Sequence, residues 1–310
     1  MSALSLEWPA SVPHRPKLDI RRQAVLAVVC LCAGVAPLAA RWIPADAARI
    51  LYGVSVAAVL LALTLFARRA PSLQHFWKLS FAFFVLALVQ VLNNSIPGYF
   101  GSYVLHDPPN WGNPLASTVS GSVVIQLLET LLAIVPVVVL TRTVGSDLGA
   151  IYARPGVIGK WLALAIAVFV ILFLFTATIP LRPDSPAQRL LPSNGPMSFD
   201  RFVMVTPALL VMVVLNPLQE EVLFRGLFLQ QYEFFFGARL ANVLQALIFA
   251  IAHAGVSYTP VALVFIVLVI LPVGLFAGYL MRATNGVLAP AIFHAAFDIP
   301  LYVAFLSYVP

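Results

Sequence analysis

Charged side chains are scarce in this sequence: Asp, Glu, Lys and Arg together make up 10% of its 310 residues. A soluble domain usually carries about 25% charged residues, which keep its surface hydrated. Because 61% of the residues are hydrophobic and the mean hydropathy is +0.97, most of the surface must face lipid. The composition therefore excludes a soluble protein and a disordered chain, and it makes the lipid bilayer a partner.

Clustered positive charge and a disulfide framework are also missing. The 18 Lys and Arg residues exceed the 12 Asp and Glu residues, which gives a net charge of +6, but they are scattered and lie mostly at the ends of apolar runs. This distribution is typical of membrane topology signals, so we predict no nucleic-acid partner. Only two cysteines occur, Cys30 and Cys32, and their i, i+2 spacing on a helix points them to different sides. We therefore expect no disulfide between them.

Long apolar runs are abundant, and a helix needs about 20 such residues to cross the hydrocarbon. The candidate spans are 23–41, 48–67, 76–95, 117–141, 159–180, 201–216, 239–257, 259–282 and 286–308, and an amphipathic helix is predicted at 218–236. Some of the short C-terminal runs can be broken or merged, which favours a count of eight. The predicted fold class is all-α: a polytopic transmembrane helical bundle of about eight membrane helices.

The flanking charges predict an orientation. Lys and Arg precede the first span and follow the second and fourth, whereas the loop at 96–116 contains neither. By the positive-inside rule, the N-terminus is cytoplasmic and this loop is external. We expect a multi-pass integral protein of the cytoplasmic (plasma) membrane.

Ionisable groups at membrane depth are informative, because each is costly unless it is paired or used. Asn216 followed by Pro217 predicts a helix that begins at Pro217, with two glutamates in its first turns. Glu221 and Arg225 are i, i+4, which favours an ion pair that only helps the helix to insert. Glu220 lies on another face and has no local partner, which favours a functional role.

Two later helices carry further polar groups. Asn242, Phe249 and His253 fall near one face of the span at 239–257, and His294 and Asp298 are i, i+4 in the last span. For each set the alternative to a functional role is a purely structural one, in which a hydrogen bond to a neighbouring group allows the side chain to be buried. Together, however, one free Glu, two His and one Asp on three helices can converge on a polar intramembrane cavity in the core of a bundle.

Such a cavity contains the groups needed to hydrolyse an amide. A Glu beside a His can take a proton from water, and a second His can donate to a developing oxyanion. We first expect a site that uses no cofactor. The motif HExxH, which binds zinc in soluble metalloproteases, is absent from the sequence. The alternative is zinc bound by Glu220, His253 and His294, because carboxylate and imidazole suit this metal.

These residues form three motifs in a fixed order: Glu220-Glu221-x-x-x-Arg225, Phe249-x-x-x-His253 and His294-x-x-x-Asp298. The set resembles that of the CPBP intramembrane protease family, which includes the type II CAAX prenyl endopeptidases and the bacterial Abi-type proteins. The resemblance covers roughly residues 205–305. It implies an eight-helix membrane fold whose cavity opens toward the cytoplasm.

The resemblance also implies roles for single residues. Glu220 and His253 would activate water, and His294 and Asp298 would form the oxyanion hole. Glu221, Arg225, Phe249 and Asn242 would support the site, with Arg225 acting through Glu221. CAAX-processing members typically have Asn at the last position; Asp298 donates only if it is protonated, and an ionised Asp would instead suit a metal or orient His294.

We therefore expect an intramembrane endopeptidase of the glutamate type, which acts on a peptide or membrane-protein substrate with or without an attached lipid. The alternative is a non-catalytic immunity or scaffold protein, or a transporter that uses the polar pocket as an ion site. Three regions are predicted: a cytoplasmic tail (1–22), N-terminal transmembrane helices and loops (23–200), and a catalytic transmembrane region (201–310).

Overall fold

The protein is almost entirely helical in the part of the chain that a computed structural model describes, which is residues 19–43, 46–104, 106, 118–178, 197–253 and 260–308. The helices are α1 (Ile20–Leu38), α2 (Asp46–Arg69), α3 (Trp77–Tyr103), α4 (Val119–Thr143), α5 (Lys160–Thr178), α6 (Phe199–Glu220), α7 (Leu229–His253), α8 (Pro260–Phe265), α9 (Leu271–Thr284) and α10 (Leu288–Tyr308). A 3₁₀ turn (Ala39–Trp42) extends α1, and π-helical segments follow α6 (Glu221–Gly226) and α8 (Ile266–Ile270).

Nine helical segments in these ranges are long and apolar enough to cross a membrane, one of them formed by α8, α9 and the π-helical segment between them. The predicted all-α membrane bundle is thus confirmed, with one more candidate span than the central estimate of eight. The protein is a multi-pass integral membrane protein. The cysteine prediction also agrees, since Cys30 is buried, Cys32 is exposed and both are free.

Two predicted helix boundaries are wrong, and both lie at prolines. α6 runs through Pro217 to Glu220 and continues as a π-helix, so no helix begins at Pro217 and the predicted start of the helix at 218–236 is wrong. Its predicted end agrees with the structure, because the backbone of α7 breaks at Gly237, where φ is 71°. α3 likewise runs through Pro97 to Tyr103, so the predicted external loop at 96–116 begins as helix; its residues 105 and 107–116 lie outside the described chain. In lipid a broken helix would leave peptide groups without hydrogen bonds, which favours continuing through proline.

The three helices that carry the motifs, α6, α7 and α10, occupy the centre of the bundle. α10 packs against α5 and α6, α9 packs along α7, and α4 bridges α3 and α6. α1 packs against α7, where Gly34 lies against the side chain of Ile248. α1, α4 and α5 therefore pack directly against the helices that carry the motifs and can contribute residues to the same interior.

The polar side chains predicted along α7 mainly join this helix to α9. The Asn242 amide donates to the backbone oxygen of Leu275 at 2.9 Å, and the Gln245 amide donates to that of Gly274 at 3.0 Å. Gly278 makes the close approach possible, because a Cβ atom there would overlap the side-chain oxygen of Asn242. Asn242 thus has a packing role in the described structure.

We expect Gly278→Ala to destabilise the protein by about 1–3 kcal/mol, because the added methyl group overpacks the interface between α7 and α9. The free energy of unfolding in detergent micelles measures the effect. Gly98→Ala is the matched control, since Gly98 has no neighbouring atom within 4 Å of the added carbon. Equal stability of the two variants would contradict the packing role of Gly278.

Candidate active site

A π-helical segment positions the glutamate pair. Glu220 ends α6, and Glu221 begins the π-helix, in which the amide of Leu227 donates to the oxygen of Val222 at 3.2 Å. All six residues of the segment are buried. Single π-helical turns occur frequently at functional sites, where the extra residue changes the direction of the side chains.

Glu221 and Arg225 form the predicted ion pair deep in the bundle. Arg225 Nη1 lies 2.9 Å from Glu221 Oε1, and both side chains are fully buried. The guanidinium carbon also lies 3.9 Å from the centre of the Phe249 ring, which stabilises its charge further. The pair therefore places two compensating charges beside the FxxxH motif.

Glu221 has a second partner that the sequence did not predict. Its Oε1 atom lies 2.9 Å from His294 Nδ1. A carboxylate oxygen accepts, so Nδ1 of His294 carries the hydrogen, and its Nε2 faces the other acids. No helical spacing relates these two residues, because they are 73 positions apart.

The other histidine is oriented by its own helix. His253 Nδ1 lies 2.9 Å from the backbone oxygen of Phe249. A carbonyl oxygen only accepts, so Nδ1 donates and the neutral ring keeps a lone pair on Nε2. The Phe249 ring packs edge-on against both imidazoles, with centroid distances of 4.6 Å to His253 and 5.4 Å to His294. Phe249 thus separates the two rings and holds their directions.

Glu220 lies between the two histidines. Its Oε2 atom is 3.8 Å from His253 Nε2 and 3.7 Å from His294 Nε2. His294 Nε2 is also 3.6 Å from Asp298 Oδ1. These distances exceed those of direct hydrogen bonds, and a water molecule can bridge polar atoms at such separations. The four residues predicted to be catalytic therefore lie together.

The side chains of this cluster differ in how far they are exposed to the surroundings. The side chains of Glu220 and His253 are 19% and 28% exposed, whereas that of His294 is 3% exposed. Within the described residues, Glu220 Oε2 has no hydrogen-bond partner although the atom itself is buried. Glu220 and His253 are thus more accessible than His294.

Asn216 is a site residue that the sequence reasoning missed. It was interpreted as a helix cap, but it lies inside α6 and donates its amide to Asp298 Oδ2 at 3.0 Å. Gln219 in turn donates to Asn216 Oδ1 at 3.1 Å. The i, i+4 spacing of Asn216 and Glu220 could have indicated a shared face, and only the assumed helix start concealed it.

The zinc alternative stays a prediction, although its ligand types are present. Glu220, His253 and His294 supply a carboxylate and two imidazoles, which suit zinc. Among the residues that the structure describes, however, no group of three or more His, Cys, Asp or Glu is arranged to hold a metal ion. We therefore derive no step that involves a metal.

Comparison with known proteins supports the resemblance that the motifs indicated. Residues 202–300 match the family model described as type II CAAX prenyl endopeptidase Rce1-like. By sequence, this segment is Rce1-like. The Rce1-like segment contains all three motifs and supports a membrane endopeptidase at the level of the family. No curated protein and no solved structure matches the chain.

Proposed function

We propose that the protein is a glutamate-type intramembrane endopeptidase in which Glu220 and His253 activate a water molecule. The observation that carries the proposal is the position of Glu220 Oε2, 3.8 Å and 3.7 Å from the Nε2 atoms of His253 and His294 in a largely buried cluster. In so dry an environment each charge acts strongly on the reacting groups. The Rce1-like segment supports this chemistry, since it contains each of these residues.

Hydrolysis then needs no further group. A water molecule between Glu220 and His253 gives a proton to the Glu220 carboxylate, and its oxygen attacks the carbonyl carbon of the scissile peptide bond. The carbonyl oxygen becomes an oxyanion, which a hydrogen on His294 Nε2 stabilises. When the C–N bond breaks, the protonated Glu220 returns its proton to the leaving amine, and the site regains its starting state.

Asp298 has a different role in this proposal from the Asn of CAAX-processing members. Its Oδ2 accepts from Asn216, and its Oδ1 faces His294 Nε2. Because Nδ1 of His294 already donates to Glu221, a hydrogen on Nε2 makes the ring a cation. The carboxylates of Asp298, Glu220 and Glu221 lie around that cation and stabilise it. Asp298 therefore stabilises the oxyanion indirectly, through the charge on His294.

We also propose a substrate class. The substrate is a membrane-associated peptide, and a prenylated CAAX peptide is the first candidate. The test uses the purified protein in liposomes and two fluorogenic peptides of one sequence, with and without a farnesyl group. We expect wild type to cleave at least one peptide and His253→Ala to cleave neither. Cleavage of the farnesylated peptide alone would support the prenylated class.

The same assay addresses the alternatives. Treatment with a chelator should leave cleavage unchanged, and inhibition that added zinc reverses would overturn the metal-free mechanism. Equal cleavage by wild type and His253→Ala would show that another activity is being measured. Absence of cleavage of both peptides by the folded wild-type protein would favour a non-catalytic immunity, scaffold or transport function.

Asp298→Asn tests the role of the last motif position. The amide oxygen can still accept from Asn216, and the amide nitrogen can donate to the oxyanion directly, which offsets the loss of the charge that stabilises the His294 cation. We expect kcat to stay within about tenfold of wild type, whereas Asp298→Leu, which can neither accept nor donate, should lower it by about 10²-fold or more. Equal loss in both variants would mean that the negative charge itself is required.

A further inference from the structure

A charged side chain outside the Rce1-like segment reaches the helix that carries His253. Arg41 lies in the 3₁₀ turn that extends α1, and α1 packs against α7.

Arg41 also bonds to the last turn of α7. Its Nη1 atom donates to the backbone oxygen of Ala252 at 3.0 Å. The last carbonyl groups of a helix have no partner within the helix, and a positive charge there is favourable. Because α7 ends at His253, Arg41 holds the residue directly before the histidine.

The position of His253 depends on that same turn. The His253 ring is fixed by the backbone oxygen of Phe249, four residues earlier. If the turn frays, the ring loses the carbonyl that sets its direction, and its Nε2 moves relative to Glu220. A misplacement of about 1 Å can lower a catalytic rate by about 10²-fold.

We propose that Arg41 is a positioning residue, which holds the His253 end of α7 against Glu220. The effect on catalysis depends on the proposed function, whereas the contact itself does not. The inference assigns to the turn that extends α1 a part of the site that the Rce1-like segment does not contain.

The test compares Arg41→Gln and Arg41→Lys in the fluorogenic peptide assay. For Arg41→Gln we expect kcat to fall about 10- to 100-fold with KM within about threefold of wild type, because a residue that acts through the position of His253 alters the chemical step more than substrate binding. Arg41→Lys retains a donor and the charge, so it should recover most of the rate. A raised KM with unchanged kcat would overturn the positioning role.

Arg49→Gln is the matched control. Arg49 lies in α2 and also donates to a backbone oxygen, that of Ile43 at 3.0 Å, but this bond joins α2 to the connection that precedes it and does not reach α7. We therefore expect wild-type kcat and KM from Arg49→Gln. A loss as large as that of Arg41→Gln would mean that disturbing this end of α1 suffices, and it would contradict a specific role for Arg41.

Hydrogen exchange gives a readout that does not depend on activity. In Arg41→Gln we expect the amides of the last turn of α7, residues 249–253, to exchange faster, while those of α10 are unchanged. Unchanged exchange in that turn would overturn the inference. If the wild type proves inactive while this exchange still rises, the proposed function fails and the contact of Arg41 with α7 stands.

Discussion

Glu220→Gln is expected to abolish detectable peptide cleavage, with kcat lowered by about 10²–10⁴-fold, the usual contribution of a general base. Glutamine has nearly the shape of glutamate but cannot take a proton from water at neutral pH. In the described structure Glu220 Oε2 accepts no hydrogen bond, so the substitution removes little that stabilises the fold. Thermal unfolding of the variant in detergent should therefore match that of the wild type.

Asp200→Asn provides the matched control for Glu220→Gln. It makes the same chemical change in the same helix, but at an exposed position in the first turn of α6. Both proteins should be compared by cleavage rate and by thermal unfolding. Cleavage by Glu220→Gln within tenfold of the control would remove Glu220 from the mechanism, even if the cluster around it is intact.

The parts of the site that could be predicted from the sequence are those that a single helix determines. The i, i+4 spacing brings Glu221 to Arg225 at 2.9 Å and His294 Nε2 to 3.6 Å from Asp298 Oδ1. The same spacing places His253 beside the backbone oxygen of Phe249. Helical periodicity sets these relations before any packing occurs, so composition and spacing suffice to find them.

The contacts that were missed join residues far apart in the chain. Asn216 bonds to Asp298 across 82 positions, and Arg41 bonds to Ala252 across 211. Such pairs depend on which helices pack together, and no local pattern encodes that choice. The predicted helix start at Pro217 is wrong for a different reason. In a soluble protein this proline would favour the start of a helix, but in lipid the helix continues through it.

Arg225→Ala is expected to destabilise the protein by about 3–5 kcal/mol, because it leaves the Glu221 carboxylate buried without its counter-charge. Glu221 and Arg225 are both fully buried, and Arg225 is among the largest buried side chains of the described core. The loss also includes the contact of the guanidinium group with the Phe249 ring. The free energy of unfolding in detergent micelles measures the effect.

Loss of activity in Arg225→Ala would not by itself separate folding from catalysis, so a paired substitution is needed. Glu221→Leu with Arg225→Met removes both charges at similar volume, which often restores stability to near the wild-type value. His294 would then lack the acceptor that fixes its Nδ1 hydrogen, and we expect cleavage to remain at least about 10²-fold below wild type. If the stable double variant cleaves peptide at the wild-type rate, the ion pair serves only folding and Glu221 does not orient His294.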